Sequence, residues 1–265
     1  MNTVLGRFNA DAIRTRLEEA GVLRALEQKG FTDFEVTVES TGRALPHTLL
    51  VGHKQGERFV LLDGCVGEAV VRPDFFLRRG YTVERPLEFA VVHWVREEDP
   101  TAEFTSTRPA LPLQQHPGLG VLRGVFRVIA GIAAELDKDG VASVPKFFHD
   151  AVIFFRSRLF LFLDGSEQGR FEALARDLAA LRLGDASLVL LSGGVRDAQG
   201  SAVQWAPGYQ VFPLSAATTA YFHSPRYAAQ VGAARQQNRY TVDPTAVTRL
   251  PTTLQTGNAR VVRRG

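Results

Sequence analysis

Leu113-Gln114-Gln115-His116-Pro117-Gly118-Leu119-Gly120 leads into an apolar run from Val121 to Leu136. Two glycines spaced by one residue, directly before a helix, leave backbone N–H groups free to face an anion. The helix N-terminus adds partial positive charge at the same place. A plain turn before a helix has the same spelling, so the pair alone does not decide between ligand loop and turn. Within the apolar run, Val121, Leu122, Val125, Phe126, Val128, Ile129, Ile132, Ala133 and Leu136 leave Arg123 and Arg127 as the main polar interruptions. That density predicts a helix buried nearly all round, between a sheet and another layer.

Upstream, Leu87 to Arg96 has apolar residues on both sides of an alternating pattern, which predicts a central strand. His93 lies inside it, as a buried histidine with a hydrogen-bonded partner or as a proton carrier near a cleft. Glu97-Glu98-Asp99 then reads as a solvated strand end or as the source of a base. Thr101 to Pro117 is a long loop, kept irregular by Pro109, Pro112 and Pro117. Downstream, Val141–Val144 reads as a short buried strand, Phe147–Arg156 as a helix and Leu159–Leu163 as a strand. Strand, glycine loop, helix, strand, helix, strand is α/β order and favours parallel pairing across the buried helix.

The flanks extend this. Residues Asn9 to Lys29 carry Ile13, Leu17, Ala20, Leu23 and Leu26 at helical spacing, as one helix or as two broken at Gly21. Phe34–Glu39, Thr48–His53 and Arg58–Asp63 read as strands of a meander, the last closed by an Asp63-Gly64 turn. Beyond Leu163, Glu167–Leu181 is an amphipathic helix and Ser187–Leu191 reads as a strand. Ala202–Leu214 reads as one or two strands, and Ala216–Gln236 as helix interrupted near Ser224-Pro225. Trp205-Ala206-Pro207-Gly208-Tyr209 fits either a core edge or a binding lip.

The loop misses two nucleotide fingerprints. A Walker loop ends in Gly-Lys-Ser/Thr, and Val121-Leu122-Arg123 stands here instead. A dinucleotide fold needs a third glycine, which Gly124 supplies one residue late, in the wrong order of elements. Gln115-His116-Pro117-Gly118-Leu119-Gly120 does resemble the Gln/Arg-x-x-Gly-x-Gly/Ala acyl-CoA loop of the GNAT superfamily of N-acyltransferases. The elements after the loop are similar too: a long helix, a short strand, a second helix, and a strand start. Phe148-His149-Asp150-Ala151 with Phe155 stands at the family's Asn-x-x-Ala-x-x-x-Tyr, and Leu159-Phe160 at its Gly-Phe. The chain departs at Phe148 for Asn and at Phe155 for the Tyr that commonly protonates the leaving thiolate.

The resemblance implies a mixed α/β (α+β) central sheet with helices on both faces over residues 1–165. An α+β extension over 166–238 and a basic tail over 239–265 would come after it. It implies that acetyl-CoA or another acyl-CoA is held by Gln115, His116, Gly118, Leu119, Gly120 and Val121. Acyl transfer to the amine of a small molecule or protein would then use Glu97 or Glu98 as base. His149, Tyr81 or Tyr209 would stand in for the missing acid. The alternative is a non-catalytic interaction or assembly protein that keeps the fold without the cofactor.

Composition bounds the partners. Hydrophobic content of 45% and charged content of 22% are ordinary for a chain with a real core. Basic residues are 27 Arg against 4 Lys, which we read as the coding bias of a GC-rich bacterial genome. From Arg239 on, Arg239, Arg249, Arg260, Arg263 and Arg264 face only Asp243, so the residues before them sum to −1 of the total +3. Nucleic acid is therefore expected only through the tail, if at all. Cys65 is the single cysteine, so no intrachain disulfide forms. Met1 to Ala20 lacks a signal-peptide pattern and no apolar run reaches spanning length, so the expected setting is cytoplasmic, with no membrane and with room for a homo-oligomer.

Overall fold

The computed structural model describes residues 2–40, 45–157, 160–243 and 245–246. In chain order its elements are α1 (Ala10–Glu19), α2 (Val22–Glu27), β1 (Thr32–Glu39), β2 (His47–Lys54), β3 (Glu57–Val71), α3 (Pro73–Leu77), β4 (Leu87–Glu97), α4 (Leu122–Glu135) and β5 (Gly140–Ser143). Then come α5 (Phe148–Arg156), β6 (Leu161–Phe162), α6 (Gly165–Asp177), α7 (Leu183–Leu191), β7 (Val195–Arg196), β8 (Gln210–Pro213), α8 (Ala216–Phe222), α9 (Pro225–Gln237) and β9 (Thr241–Val242). The chain is a mixed α/β protein that divides into two compact units. The first holds Met1–Pro100, Gly118–Val144 and Gln210–Arg226, and the second Thr101–Pro117, Pro145–Tyr209 and Tyr227–Gly265. The units interleave along the chain.

In the first unit the strands stand in the order β1-β2-β3-β4-β5-β8. The first four form an antiparallel meander, β5 runs parallel to β4, and β8 runs antiparallel to β5. The parallel pair across α4 is the one expected from the order of elements. Gly21, at φ +75°, separates α1 from α2, and Asn9 caps α1 by accepting the Ala12 N–H at 2.9 Å. The β2–β3 hairpin turns at Gln55-Gly56, both at positive φ, which is the two-residue turn whose twist suits flanking strands.

Asp63-Gly64, expected as the turn that closes the strand Arg58–Asp63, lies instead in the middle of the 15-residue β3. Its neighbours explain the difference. The Asp63 carboxylate accepts Trp94 Nε1–H at 3.0 Å and contacts His47 Nδ1 at 3.1 Å, so a turn-forming residue is fully employed inside a ladder. Close by, His93 Nε2 lies over Gly67, 2.6 Å from where a Cβ on that residue would stand.

His93 itself corrects the expectation of a buried residue. Cys65 pairs with Trp94 and Val66 with Val92, so His93 is the extra residue of a bulge and turns out to solvent. Helix α4 is also less enclosed than expected. Val125, Phe126, Val128, Ile129, Ile132 and Ala133 are buried, while Arg123, Arg127, Gly131 and Glu135 form an exposed stripe. It packs with α1 on the sheet face carrying Leu62, Gly64 and Val95, around a cavity of about 50 Å³.

A second node closes the far end of this unit. Asp139 is 0% exposed, and Arg85 binds its carboxylate through two bonds of 2.8 Å. Its carbonyl accepts Leu214 N–H, Ser215 N–H and Thr218 Oγ–H at 2.7 to 3.1 Å.

The second unit is built on α5, α6 and α7, whose core joins Phe148, Val152, Phe162, Phe171, Leu174, Val189 and Leu190. Ser187–Leu191 belongs to helix α7, not to the expected strand. A short apolar run fits either state by pattern alone, and here Ala186, Val189 and Leu190 face one core as a helix presents them. Ala202–Leu214 yields only β8, since residues 203–209 have no regular structure. Helices α8 and α9 break at Ser224-Pro225 as expected. Gly165 and Gly169 bring α6 against α9, and a Cβ on Gly169 would stand 2.3 Å from the Val231 carbonyl oxygen. Of the expected basic tail, Thr241–Val242 pairs as β9 with β7, while Arg249, Arg260, Arg263 and Arg264 lie outside the described residues, as does Leu159 of the expected strand start.

Candidate functional site

The end of β4 and the loop before α4 form the site in the first unit. Alternation along β4 puts Glu97 on the same face as Val95, the face that α4 covers. Gly120, at φ +75°, bends the loop so that the successive N–H groups of Leu119, Gly120 and Val121 form a concave nest. Helix α4 has no side-chain cap of its own at Val121. The carboxylate of Glu97 takes that place, drawing the N–H groups of Leu119, Gly120 and Val121 from across the sheet. A Cβ on Gly118 would fall 3.0 Å from Glu97 Oε1, so glycine is what lets the carboxylate approach.

The electrostatics of this contact are opposed. Burial raises the Glu97 pKa, while the three amides and the charge of Lys29 lower it, and burial prevails: the pKa rises to about 7. Oε2 is buried without a hydrogen-bond partner among the described residues, which is the source of the cost. The carboxyl therefore exchanges its proton near neutrality while sitting in an amide nest that favours its charged form.

Of the residues expected from sequence, Glu97 meets Gly118, Leu119, Gly120 and Val121 in one place. Glu98 is half-buried next to it, with its own N–H on the Leu61 carbonyl at 3.2 Å. Gln115 is exposed and His116 half-buried, and both belong to the second unit. Tyr81 packs edge-on against Tyr221 at 5.0 Å, and Tyr209 is 40% exposed.

His149 lies in the core of the second unit, 5% exposed, stacked on Phe147. Its Nδ1 is 2.9 Å from Ser187 Oγ and its Nε2 is 3.3 Å from Asp150 Oδ1. Adjacent helical residues are expected to diverge. Here Asp150 bends back to accept the Phe147 N–H at 3.1 Å and so returns to the ring. Serine, histidine and aspartate thus lie in one row, with a hydrogen bond between His149 and Ser187 and Asp150 in ion-pair reach of the ring, but Ser187 is 0% exposed inside α7 and no acyl group can reach its hydroxyl. Burial lowers the His149 pKa and raises that of Asp150, as packing polar groups does.

The link between Glu97 and the loop is the feature that sequence pattern does not expose. Acid, loop and helix are each legible, but their meeting depends on the β4–α4 face. Period-two alternation from Val95 is the one local clue. Among the described residues no three histidine, cysteine or acidic side chains cluster to hold a metal ion, and no helix is long and apolar enough to cross a membrane. No protein-family model matches the chain, and no curated protein matches it.

Proposed function

We propose that the chain is a non-catalytic interaction or assembly protein carrying a GNAT-like sheet, with its acyl-CoA loop capped by its own carboxylate. One observation carries this: Glu97 draws on the same amides that the resemblance assigns to the CoA pyrophosphate. An ionised carboxylate in that nest repels a second anion, and both cannot use the same N–H groups. The roles of base and loop also exclude each other, because the pantetheine arm separates pyrophosphate from thioester. A glutamate seated on the pyrophosphate amides is not beside the reacting carbonyl. Phe155, where the family has its acid, packs on Phe171 at 5.3 Å and has no proton to give.

The acyl-transfer reading keeps one point in its favour. Pairing of β4 with β5 stops at Val92 and Ser143, so β4 continues past its neighbour toward the loop, as a cleft over the amides requires. The two readings separate on acetyl-CoA. A ligand at 100 times its dissociation constant stabilises its protein by about 2.7 kcal/mol. Our reading expects no shift in melting temperature with acetyl-CoA up to millimolar concentration. A shift that Gly120→Asp abolishes would overturn it.

A further inference from the structure

A pocket in the second unit stands apart from the capped loop. Helix α6 repeats Glu167, Arg170, Phe171 and Leu174 along one face, and residues 203–208 cross in front of it as an irregular strap. Between them lies a cavity of about 90 Å³. Its floor is apolar, from Phe162, Phe171 and Leu174, all 5% exposed or less, with the half-buried Trp205 beside them. Trp205 is fixed there by its Nε1–H on the Pro145 carbonyl at 3.1 Å and by Phe148, edge-on at 5.7 Å.

The charges at the rim are not equivalent. Glu167 is turned onto the strap, since a Cβ on Gly208 would fall 2.0 Å from its Oε2. Arg170 is exposed and makes no hydrogen bond or ion pair among the described residues, and its charge reaches the Tyr240 phenol on the same wall. One cation is left facing an aromatic and aliphatic floor. The room is that of about three waters, or of an aliphatic chain of three or four carbons.

We propose that this pocket binds a short aliphatic carboxylate, with its chain on the Phe162–Phe171–Trp205 floor and its carboxylate on the Arg170 guanidinium. A guanidinium fork matches a carboxylate, and a free one beside an apolar floor selects an anion with an apolar body. An aliphatic ammonium of equal size would be repelled by the Arg170 guanidinium. A neutral alcohol would lose the charge-assisted bond.

Trp205 reports on its own site. The chain has two tryptophans, so Trp94→Phe leaves Trp205 as the sole tryptophan, excited selectively beyond the tyrosine absorption band. Butyrate titrated into this variant, against chloride at equal ionic strength, is expected to change its fluorescence saturably. Half-saturation should be on the order of millimolar, as for a fragment of this size. Butylamine and butanol serve as controls and are expected to give no comparable response. Arg170→Gln should weaken butyrate by about tenfold or more without changing the melting curve, and Arg170→Lys should bind at intermediate strength. No saturable response, an equal response to butylamine or butanol, or undiminished binding in Arg170→Gln would each overturn the proposal.

Discussion

Oε1 of Glu97 lies 3.0 Å from the point where a side chain on Gly118 would begin. Space, charge and burial meet in that gap, and the result is a carboxyl with a pKa of about 7, against an ordinary value of 4.5. The folded protein therefore holds this proton more tightly than the unfolded chain does. Stability from this group is full below about pH 4.5 and is lost as pH rises to about 7. Glu97→Gln keeps an acceptor for the amides and cannot ionise. The stability of the wild type relative to this variant should fall by about 3 kcal/mol across that window. Urea melts of both proteins from pH 4.5 to 8 measure it, and a flat difference would refute the assignment.

Gly64 faces the cavity between α1, α4 and the sheet. A methyl there would sit 3.6 Å from Val95 Cγ2 and 3.8 Å from Leu62 Cδ2, both ordinary contacts. Gly64→Ala should raise stability by about 0.5–1 kcal/mol through lower unfolded-state entropy and a better-filled core. Thermal melting tests this, and a lowered midpoint would count against the cavity.

Two helical glycines should respond with opposite signs. Gly169→Ala forces a methyl into the Val231 carbonyl, which backbone cannot easily yield, and should cost about 2–3 kcal/mol. Gly232→Ala, on the helix opposite, meets nothing within 4 Å and should add about 0.5–1 kcal/mol. Denaturant midpoints of the pair measure how close the α6–α9 contact is, and equal effects would rule out a tight crossing.

Asp139 is expected to dominate the acid limb. Burial raises its pKa, but the Arg85 fork and the Glu88 N–H outweigh burial and hold it below the usual carboxylate range. Its contribution is present above the unfolded value of 3.8 and is lost as pH falls through the lower folded value. Asp139→Asn should cost about 3 kcal/mol near neutrality, by leaving part of the buried node unpaired. The loss should shrink on acidification, which denaturant melts at pH 3 and pH 7 would detect.

Much of the fold was legible because periodicity and punctuation agree in its longest elements. The α1–α2 break at Gly21, the β4–α4–β5 unit and the α8–α9 break at Ser224-Pro225 all carry local signals. The misreadings arose where a local signal met a stronger tertiary demand. Asp63-Gly64 spells a turn, but His47 and Trp94 employ the aspartate within β3. Ser187–Leu191 spells a buried segment of either kind, and only the α5–α7 core decides for helix.

Within the candidate site, Glu97 and the glycine loop were each visible, and their contact was not. The loop amides announce an anion without saying whose it is. Nothing in the spacing of Gly118 and Gly120 distinguishes a phosphate from a carboxylate held by the neighbouring strand. Of the pocket under residues 203–208, the stretch Trp205–Tyr209 was legible as a core edge or a binding lip, but its meeting with Arg170, far away in sequence, was not.

The place of β8 beside β5 also bears on how the protein is made. The first unit cannot complete its sheet as it leaves the ribosome, because residues 145–209 must be synthesised before Gln210–Pro213 exist. Until then β5, whose four residues are all buried in the finished fold, presents an unpaired edge. A nascent chain stalled between Val144 and Gln210 thus carries an open strand ready to pair with another chain.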